Sequence, residues 1–468
     1  MTLNRISFYS LLTLMFWLPL PLASNRIWAW SIAGLFVGFI TLCTLFSYYR
    51  NINTFPFARI KQFYWLLIPM ILFQLWVSIQ LLPLPQFVLS WVSPVSAAVY
   101  ESVGLNFGTI SLDAFSTSVG LVKGVVYCLF VLCAIVLIDS VERVKLTLAI
   151  MLASGTYQAL YAAFEVLLTL DYTPIFGMKV SDRANGTFIY HNHLANYLMM
   201  CLSLGAGLLV SQLHVSPAGS WHVRIQRWVS GVISSKMFVR SALVVMVIAL
   251  VMTRSRMGNT AFFVATLIGG LAALLFYKHK PRALLTLVIS LLVVDTLVVG
   301  SLFGLAKVKD RIEKTAISEE TRDEVLRWSV DLIEAAPLTG TGLGSFYSTF
   351  PSVSKSNIGF YDHAHNEYFQ FAVEVGIPAT LMLGIMCFSA LYLTVKAMRT
   401  RTSKTLKGTA LGCFMAIIGM LIHISVDFNL QPSANAMSFL LVLVLSGVAA
   451  NLPRVGSPQF SGEHNNEV

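Results

Sequence analysis

Charge is what this sequence has least of. Of its 468 residues, 12% are Asp, Glu, Lys or Arg, against 56% that are hydrophobic. Soluble domains carry about 25% charged residues, so an ordinary soluble globule is excluded. Paired cysteines are missing too. Cys43, Cys128, Cys133, Cys201, Cys387 and Cys413 all fall inside apolar runs, and none has CxxC spacing. That excludes a thiolate metal or redox centre and leaves small core hydrophobes. No Ser-, Gly- or Pro-rich linker divides the chain, and no internal repeat is visible. One continuous helical membrane domain is therefore expected.

Long apolar runs fill the space that charge leaves, and the mean hydropathy is +0.73. A run of about 20 apolar residues spans hydrocarbon. About twelve such runs are expected, over 6–23, 27–48, 63–83, 119–138, 145–168, 193–213, 239–253, 259–277, 283–305, 370–395, 409–427 and 435–450. The run 239–253 is the shortest. The first run is long, and Leu18–Ser24 is a poor small-residue cleavage site, so it reads as a span and not as a removed signal.

The formal net charge of +10 does not indicate a nucleic-acid partner, because the basic residues are scattered over alternate loops. That is the pattern of membrane orientation. With the N-terminus inside, the cytoplasmic segments hold most of them, including the groups Arg224–Arg240 and Lys396–Lys407. The short outer segments hold Arg26, Lys123, Lys179, Arg183, Arg254 and Arg256. Both termini are expected in the cytoplasm.

This orientation sends the unusual polar residues to one face. The first group runs from Asp182 through Asn185-Gly186 to His191-Asn192-His193. The second is Thr253-Arg254-Ser255-Arg256-Met257-Gly258. The third is the loop 306–369, which ends in His363-Ala364-His365-Asn366-Glu367. Each has a bland alternative. His191 and His193 read equally as interfacial residues at a helix start, with Asn192 capping. At i, i+2 they do not share a helix face, so a metal pair is not expected. Arg254 and Arg256 read as snorkelling anchors, or as the planar forks that grip phosphate oxygens. Of His363 and His365, one imidazole is expected to do chemistry and the other to support it.

The loop 306–369 has its own organisation. Lys307 to Arg327 is charged and reads as an amphipathic helix continuing to Glu334, and Pro337 follows it. Then comes Thr339-Gly340-Thr341-Gly342-Leu343-Gly344-Ser345. Alternate glycines allow tight turns and close backbone approach. The flanking strand and helix of a nucleotide loop are absent, which excludes nucleotide binding.

Together these pieces resemble the O-antigen ligase and polymerase family of bacterial glycan assembly. The resemblance rests on Asn185-Gly186 with His191-Asn192-His193, on Thr253–Gly258, on Arg327-Trp328 through Phe346, and on His363–Tyr368. The family's ligase signature begins with His and Asn, Ser or Gln. Here His365 and Asn366 are followed by nine residues and Gly376, and Ala379 departs from the Gly, Thr or Tyr of the last position.

The resemblance implies a GT-C-like, all-α polytopic fold with one long, partly helical periplasmic loop. N-terminal helices would fill 1–180, the ligase-like catalytic region 181–395, and the last helices with a short tail 396–468. It implies a bacterial inner-membrane enzyme that takes a glycan from undecaprenyl diphosphate at the periplasmic face. The acceptor would be a hydroxyl of a glycan or of lipid A–core, with membrane lipid and other glycan-assembly proteins as further partners. No metal or cofactor is implied, since the diphosphate ester already carries the driving force. Arginine suits diphosphate binding and leaving-group charge, and histidine suits proton removal from the acceptor.

His365 is accordingly expected as general base, with Asn366 and Glu367 orienting it or the acceptor. Arg256 and then Arg322 are expected on the diphosphate, with Arg254 and Arg327 as substitutes. His363, His193 and Asn192 line the substrate site. A lipid-linked glycan transporter is the alternative from another class, and protein O-oligosaccharyl transfer the alternative within the enzymes. Against transport, the polar residues gather on one face and not at mid-membrane, and paired broken helices are missing.

Overall fold

The computed structural model describes residues 2–49, 52–180, 182–212, 235–277, 289, 293, 322–355 and 361–453. Among these, eight helices are long and apolar enough to cross a membrane: Ile27–Tyr49, Ala114–Leu137, Val141–Leu167, His191–Ser211, Arg256–Phe276, Glu367–Thr400, Lys404–His423 and Ser433–Asn451. Tyr64–Gln80 and Met237–Met252 are apolar but shorter. Leu3–Trp17 has 15 residues. The expected run 283–305, apart from residues 289 and 293, and the first quarter of the loop, 306–321, lie outside the described residues.

The helices sort by burial into a centre and a lipid-facing rim. In His191–Ser211 and Ser433–Asn451, 94% of the apolar window is buried inside the protein, against 28% for Ile27–Tyr49. The centre closes through glycine. A Cβ on Gly207 would stand 2.2 Å from the Gly408 carbonyl oxygen, and one on Gly412 would stand 2.7 Å from that of Ser203. Without the hydrophobic effect to press helices together, such small-residue contacts let backbones approach. His191–Ser211 and Lys404–His423 are thereby locked side by side, and their ends at His191 and His423 form the floor of the polar face.

Helix starts follow local chemistry. Asp113, Ser140, Ser255, Asn366 and Ser403 each cap a helix by accepting a backbone N–H within the first turn, which satisfies donors that would otherwise be orphaned in lipid. The long helix Glu367–Thr400 is interrupted at Gly376, with φ +81°, two residues before Pro378. The glycine loop explains the break. Thr341 and Gly342 donate backbone hydrogen bonds to the carbonyls of Val373 and Glu374. A Cβ at Gly340 would lie 2.4 Å from the Glu374 oxygen, and one at Gly376 would lie 2.4 Å from that of Leu338. The close approach that these glycines permit is to another stretch of chain.

Two expectations change here. Lys123, counted among the outer segments, lies inside Ala114–Leu137. The all-α reading gains one small exception, the antiparallel pair Leu84–Pro85 with Phe107–Gly108.

Candidate active site

Residues 322–335 are helical, and Pro337 follows the helix. Val325 and Leu332 on this segment are buried against Phe346, Phe350, Ala364 and Val373 in a small core of their own. Ala364 stands between His363 and His365, so this core fixes the height of both histidines over the helix ends.

Phe428 organises the polar face. Its ring lies 4.3 Å from the His363 ring and 5.7 Å from that of Tyr190, with interplanar angles of 22° and 8°. Tyr190, Phe428 and His363 thus form one stack. His365 and His193 meet Phe428 edge-on, at 4.8 and 4.9 Å. His365 Nδ1 lies 3.5 Å from Oδ1 of Asp427, a charge-pair separation without hydrogen-bond geometry, and this buried nitrogen has no other partner among the described residues. Asp427 is buried. Burial alone would raise its pKa, but the His365 imidazole and the neighbouring His423 and His193 hold it below the ordinary value. A carboxylate is therefore available to orient the His365 ring. His365 itself has a left-handed backbone, φ +50°, the kind of strain that persists where the surroundings over-determine it.

Two arginines, Arg322 and Arg183, act on Tyr190. Arg322 is near enough to the Tyr190 hydroxyl to pull its pKa down, and Asn192 donates to the same hydroxyl at 2.9 Å. Burial and the Asp427 carboxylate raise the Tyr190 pKa, against the pull of Arg322 and Arg183. Arg183 Nη1 lies 3.0 Å from His191 Nε2. Arg254 pairs with Asp182, which ties the first polar group to the second. Arg256 is exposed at the first helical position after that turn. A Cβ on nearby Gly258 would sit 3.3 Å from His423, so this turn abuts the same floor. Arg327 is exposed on the 322–335 helix.

The remaining expected residues are engaged by backbone and side-chain partners within the protein. Asn366 Oδ1 accepts from Tyr368 and Phe369, and its Nδ2 donates to Ser425 O at 2.8 Å. Glu367 accepts from Leu430 N at 2.7 Å and Gln431 Nε2 at 3.2 Å. Both side chains brace the 424–431 turn that presents Asp427. His363 Nδ1 lies 3.1 Å from Gln370 Nε2, and burial lowers the His363 pKa. His193 is buried. Asn192 bonds Tyr190 and does not cap, since the helix starts at His191 with Tyr190 as its cap position. Among the described residues no group of three or more His, Cys, Asp or Glu could hold a metal ion.

A cavity of ≈ 630 Å³ adjoins the stack at His363, with Gln370 also in its lining. Its walls come from Tyr64–Gln80, Ala114–Leu137, Glu367–Thr400 and Ser433–Asn451 and are mainly apolar. His363 borders this cavity, and His365 is joined to His363 through their shared contact with Phe428.

Residues 241–384 match the family model described as O-antigen ligase. The resemblance read from the motifs is borne out, and the match supports a membrane glycan ligase or polymerase. A search of curated proteins finds no match to the chain. The O-antigen ligase region contains Arg254, Arg256, Arg322, Arg327, His363 and His365, and leaves Tyr190 and Asp427 outside. The fold brings both back to the region's histidines. Asp427 and Phe428 are the residues that the motif reading missed as site members. The signal available was the cost of an acid at the end of an apolar run, and it pointed to a relay in a transporter as readily as to a catalytic partner.

Proposed function

We propose that this chain moves a glycan from undecaprenyl diphosphate to an acceptor hydroxyl at the periplasmic face of the bacterial inner membrane. One observation carries the reading: His365 lies 3.5 Å from the buried Asp427, and the adjoining His363 borders a mainly apolar cavity. Asp427 holds the proton on Nδ1 and leaves Nε2 as the base. Nε2 takes the acceptor's proton as its oxygen attacks the anomeric carbon. The bond to the diphosphate breaks, and the leaving charge falls to Arg322, Arg256 or Arg254, with Arg327 and Arg183 near. One attack of this kind inverts the anomeric centre. His363, His193 and Asn192 shape the pocket, and Asn366 and Glu367 hold the turns in place. The donor's isoprenoid chain suits the apolar cavity, because its first isoprene lies only one diphosphate from the scissile bond.

Charge distribution supports cytoplasmic termini and an outward site, and metal-independent chemistry follows from giving the diphosphate to arginine. The acceptor is a glycan or lipid A–core. The test is transfer by the purified chain in liposomes, given undecaprenyl diphosphate-linked glycan and each acceptor in turn. His365→Ala should abolish product without loss of protein. Wild-type transfer by His365→Ala would remove the mechanism.

A further inference from the structure

Between Tyr64–Gln80 and Ala114–Leu137 the chain makes a short helical hairpin. Its helices are Gln86–Val92 and Pro94–Ser102, and the pairing of Leu84–Pro85 with Phe107–Gly108 closes its base. One side packs inward, with Leu89, Ala97 and Ile110 buried against Trp76, Leu84 and Tyr100. The other side is apolar and exposed. Phe87 and Trp91 are 75% and 81% exposed, and their i, i+4 spacing puts them on one helix face. Val99, Val103 and Phe107 are exposed as well, and Phe107 pairs with Pro85, two residues before Phe87.

An exposed apolar patch marks an interaction surface, and three observations commit this one to the bilayer. The first is its tether. Leu81–Pro83 joins the hairpin to an apolar helix, and three residues span about 10 Å at most, which keeps the hairpin near the headgroup layer. The second is continuity. Leu72, Leu75 and Ile79 form an exposed stripe on Tyr64–Gln80, and exposed Leu82 carries that stripe into the hairpin. The third is charge. Glu101 is the only charged residue from Leu81 to Leu112. It stands two positions from both Val99 and Val103, so it does not share their face. Exposed tryptophan at a helix end is the composition of a membrane interface.

The roots of the hairpin grip the glycine loop. Gln80 Nε2 donates to the carbonyls of Thr339 and Glu374 at 2.8 and 2.9 Å, and its Oε1 accepts from Leu343 N at 3.2 Å. Leu112 N donates to Thr341 O at 2.8 Å, and a Cβ on Gly342 would stand 2.2 Å from Ser111 Oγ. The loop is thus held between both ends of the hairpin and the helix that Asn366 caps.

We propose that residues 82–112 form an interfacial anchor, whose Phe87–Trp91 face rests at the boundary of headgroups and acyl chains and whose roots fix the height of the glycine loop. The hairpin has no basic residue, so apolar burial holds it and anionic headgroups do not. The proposal rests on the membrane placement and not on the transfer reaction. The test uses the full Cys-free chain in phosphatidylcholine nanodiscs, with a fluorophore on Phe87→Cys, Trp91→Cys, Val103→Cys or Glu101→Cys.

Brominated acyl chains should quench the labels at 87, 91 and 103 about twofold or more above the label at 101, and added phosphatidylglycerol should not alter that order. Aqueous iodide should give the reverse order. Strong iodide quenching at 87 and 91 would overturn the anchor, and so would protection from both quenchers, which would assign the face to a second copy or another protein. Phe87→Asp combined with Trp91→Asp should speed amide exchange of residues 339–346 several-fold and leave Ser433–Asn451 as in wild type, whereas Trp91→Phe should change neither. Unaltered exchange at 339–346 in the folded double variant would overturn the grip on the loop. The labelled chains each carry one substitution at an exposed position, so the quenching result stands whether or not the double variant folds.

Discussion

Asp427→Asn separates the proposed catalytic pair from its surroundings with the least disturbance. The substitution keeps volume, and the new amide oxygen can still accept from Phe428 N, which Asp427 Oδ1 does at 3.0 Å. What changes is the partner of His365. A carboxylate accepts only, so it fixes the proton on Nδ1 and leaves Nε2 basic. An amide can turn its NH2 towards Nδ1, which moves the proton to Nε2 and removes the base. The lost attraction has an upper bound. At the 3.5 Å separation, a unit pair in an effective dielectric of 20 interacts by about 5 kcal/mol. The equivalent change in Ser-His-Asp hydrolases lowers kcat about 10⁴-fold through the wrong tautomer. The pair here is looser than a normal hydrogen bond, so a smaller loss is expected, about 10²–10³-fold or about 3–4 kcal/mol of barrier. The assay is single-turnover transfer in liposomes, with abundance and melting followed in parallel. KM for the donor should stay near wild type, because Asp427 touches no proposed phosphate ligand. Wild-type kcat in Asp427→Asn would refute the pairing. A loss of folded protein matching the loss of rate would assign Asp427 to architecture.

Arg322→Ala should raise donor KM and lower kcat, about tenfold or more in kcat/KM, while Arg256→Lys, which keeps charge but loses the planar fork, should fall less steeply; steady-state kinetics with varied donor checks both, and no effect of either would leave the diphosphate to other groups. Cysteines placed at the exposed positions Tyr347, Pro351 and Ser352 in a Cys-free variant should react with an impermeant thiol reagent from outside, and those at 400–406 should not; external labelling at 400–406 would overturn the orientation. Transfer should persist in chelator, and loss restored by magnesium or manganese would show that a metal does the work assigned to arginine. Burial lowers the His363 pKa, so the folded state binds fewer protons there than the unfolded chain does between that depressed value and the ordinary 6.5. Stability should therefore rise with pH through that window, and His363→Phe should flatten the rise in a melting series from pH 5 to 7.

The architecture was legible because hydrocarbon demands long apolar runs, and most of the expected runs coincide with helices of the structure. Lys123 was counted with the outer segments because it stood near the start of the expected run 119–138, whereas the helix begins at Ala114 and encloses it. The site was legible only in part. His363, His365 and the arginines stand in short motifs whose composition is unusual for a membrane chain. Asp427 stands 62 residues beyond His365, across two packed helices, and nothing local links the two. Their proximity comes from Gly207 meeting Gly408 and from Glu367 gripping the 424–431 turn.

Glu367 shows why the motif and the mechanism differ. It adjoins the proposed base in sequence, so spacing alone made it an orienting partner. The Glu367 carboxylate instead accepts from Leu430 N and Gln431 Nε2. Its grip on the turn places Asp427 in the position first given to Glu367. Glu367→Gln should then act through the turn: kcat should fall together with the His365–Asp427 coupling, so that Asp427→Asn costs less in that background than in wild type. Additive losses in the double variant would separate Glu367 from the pair.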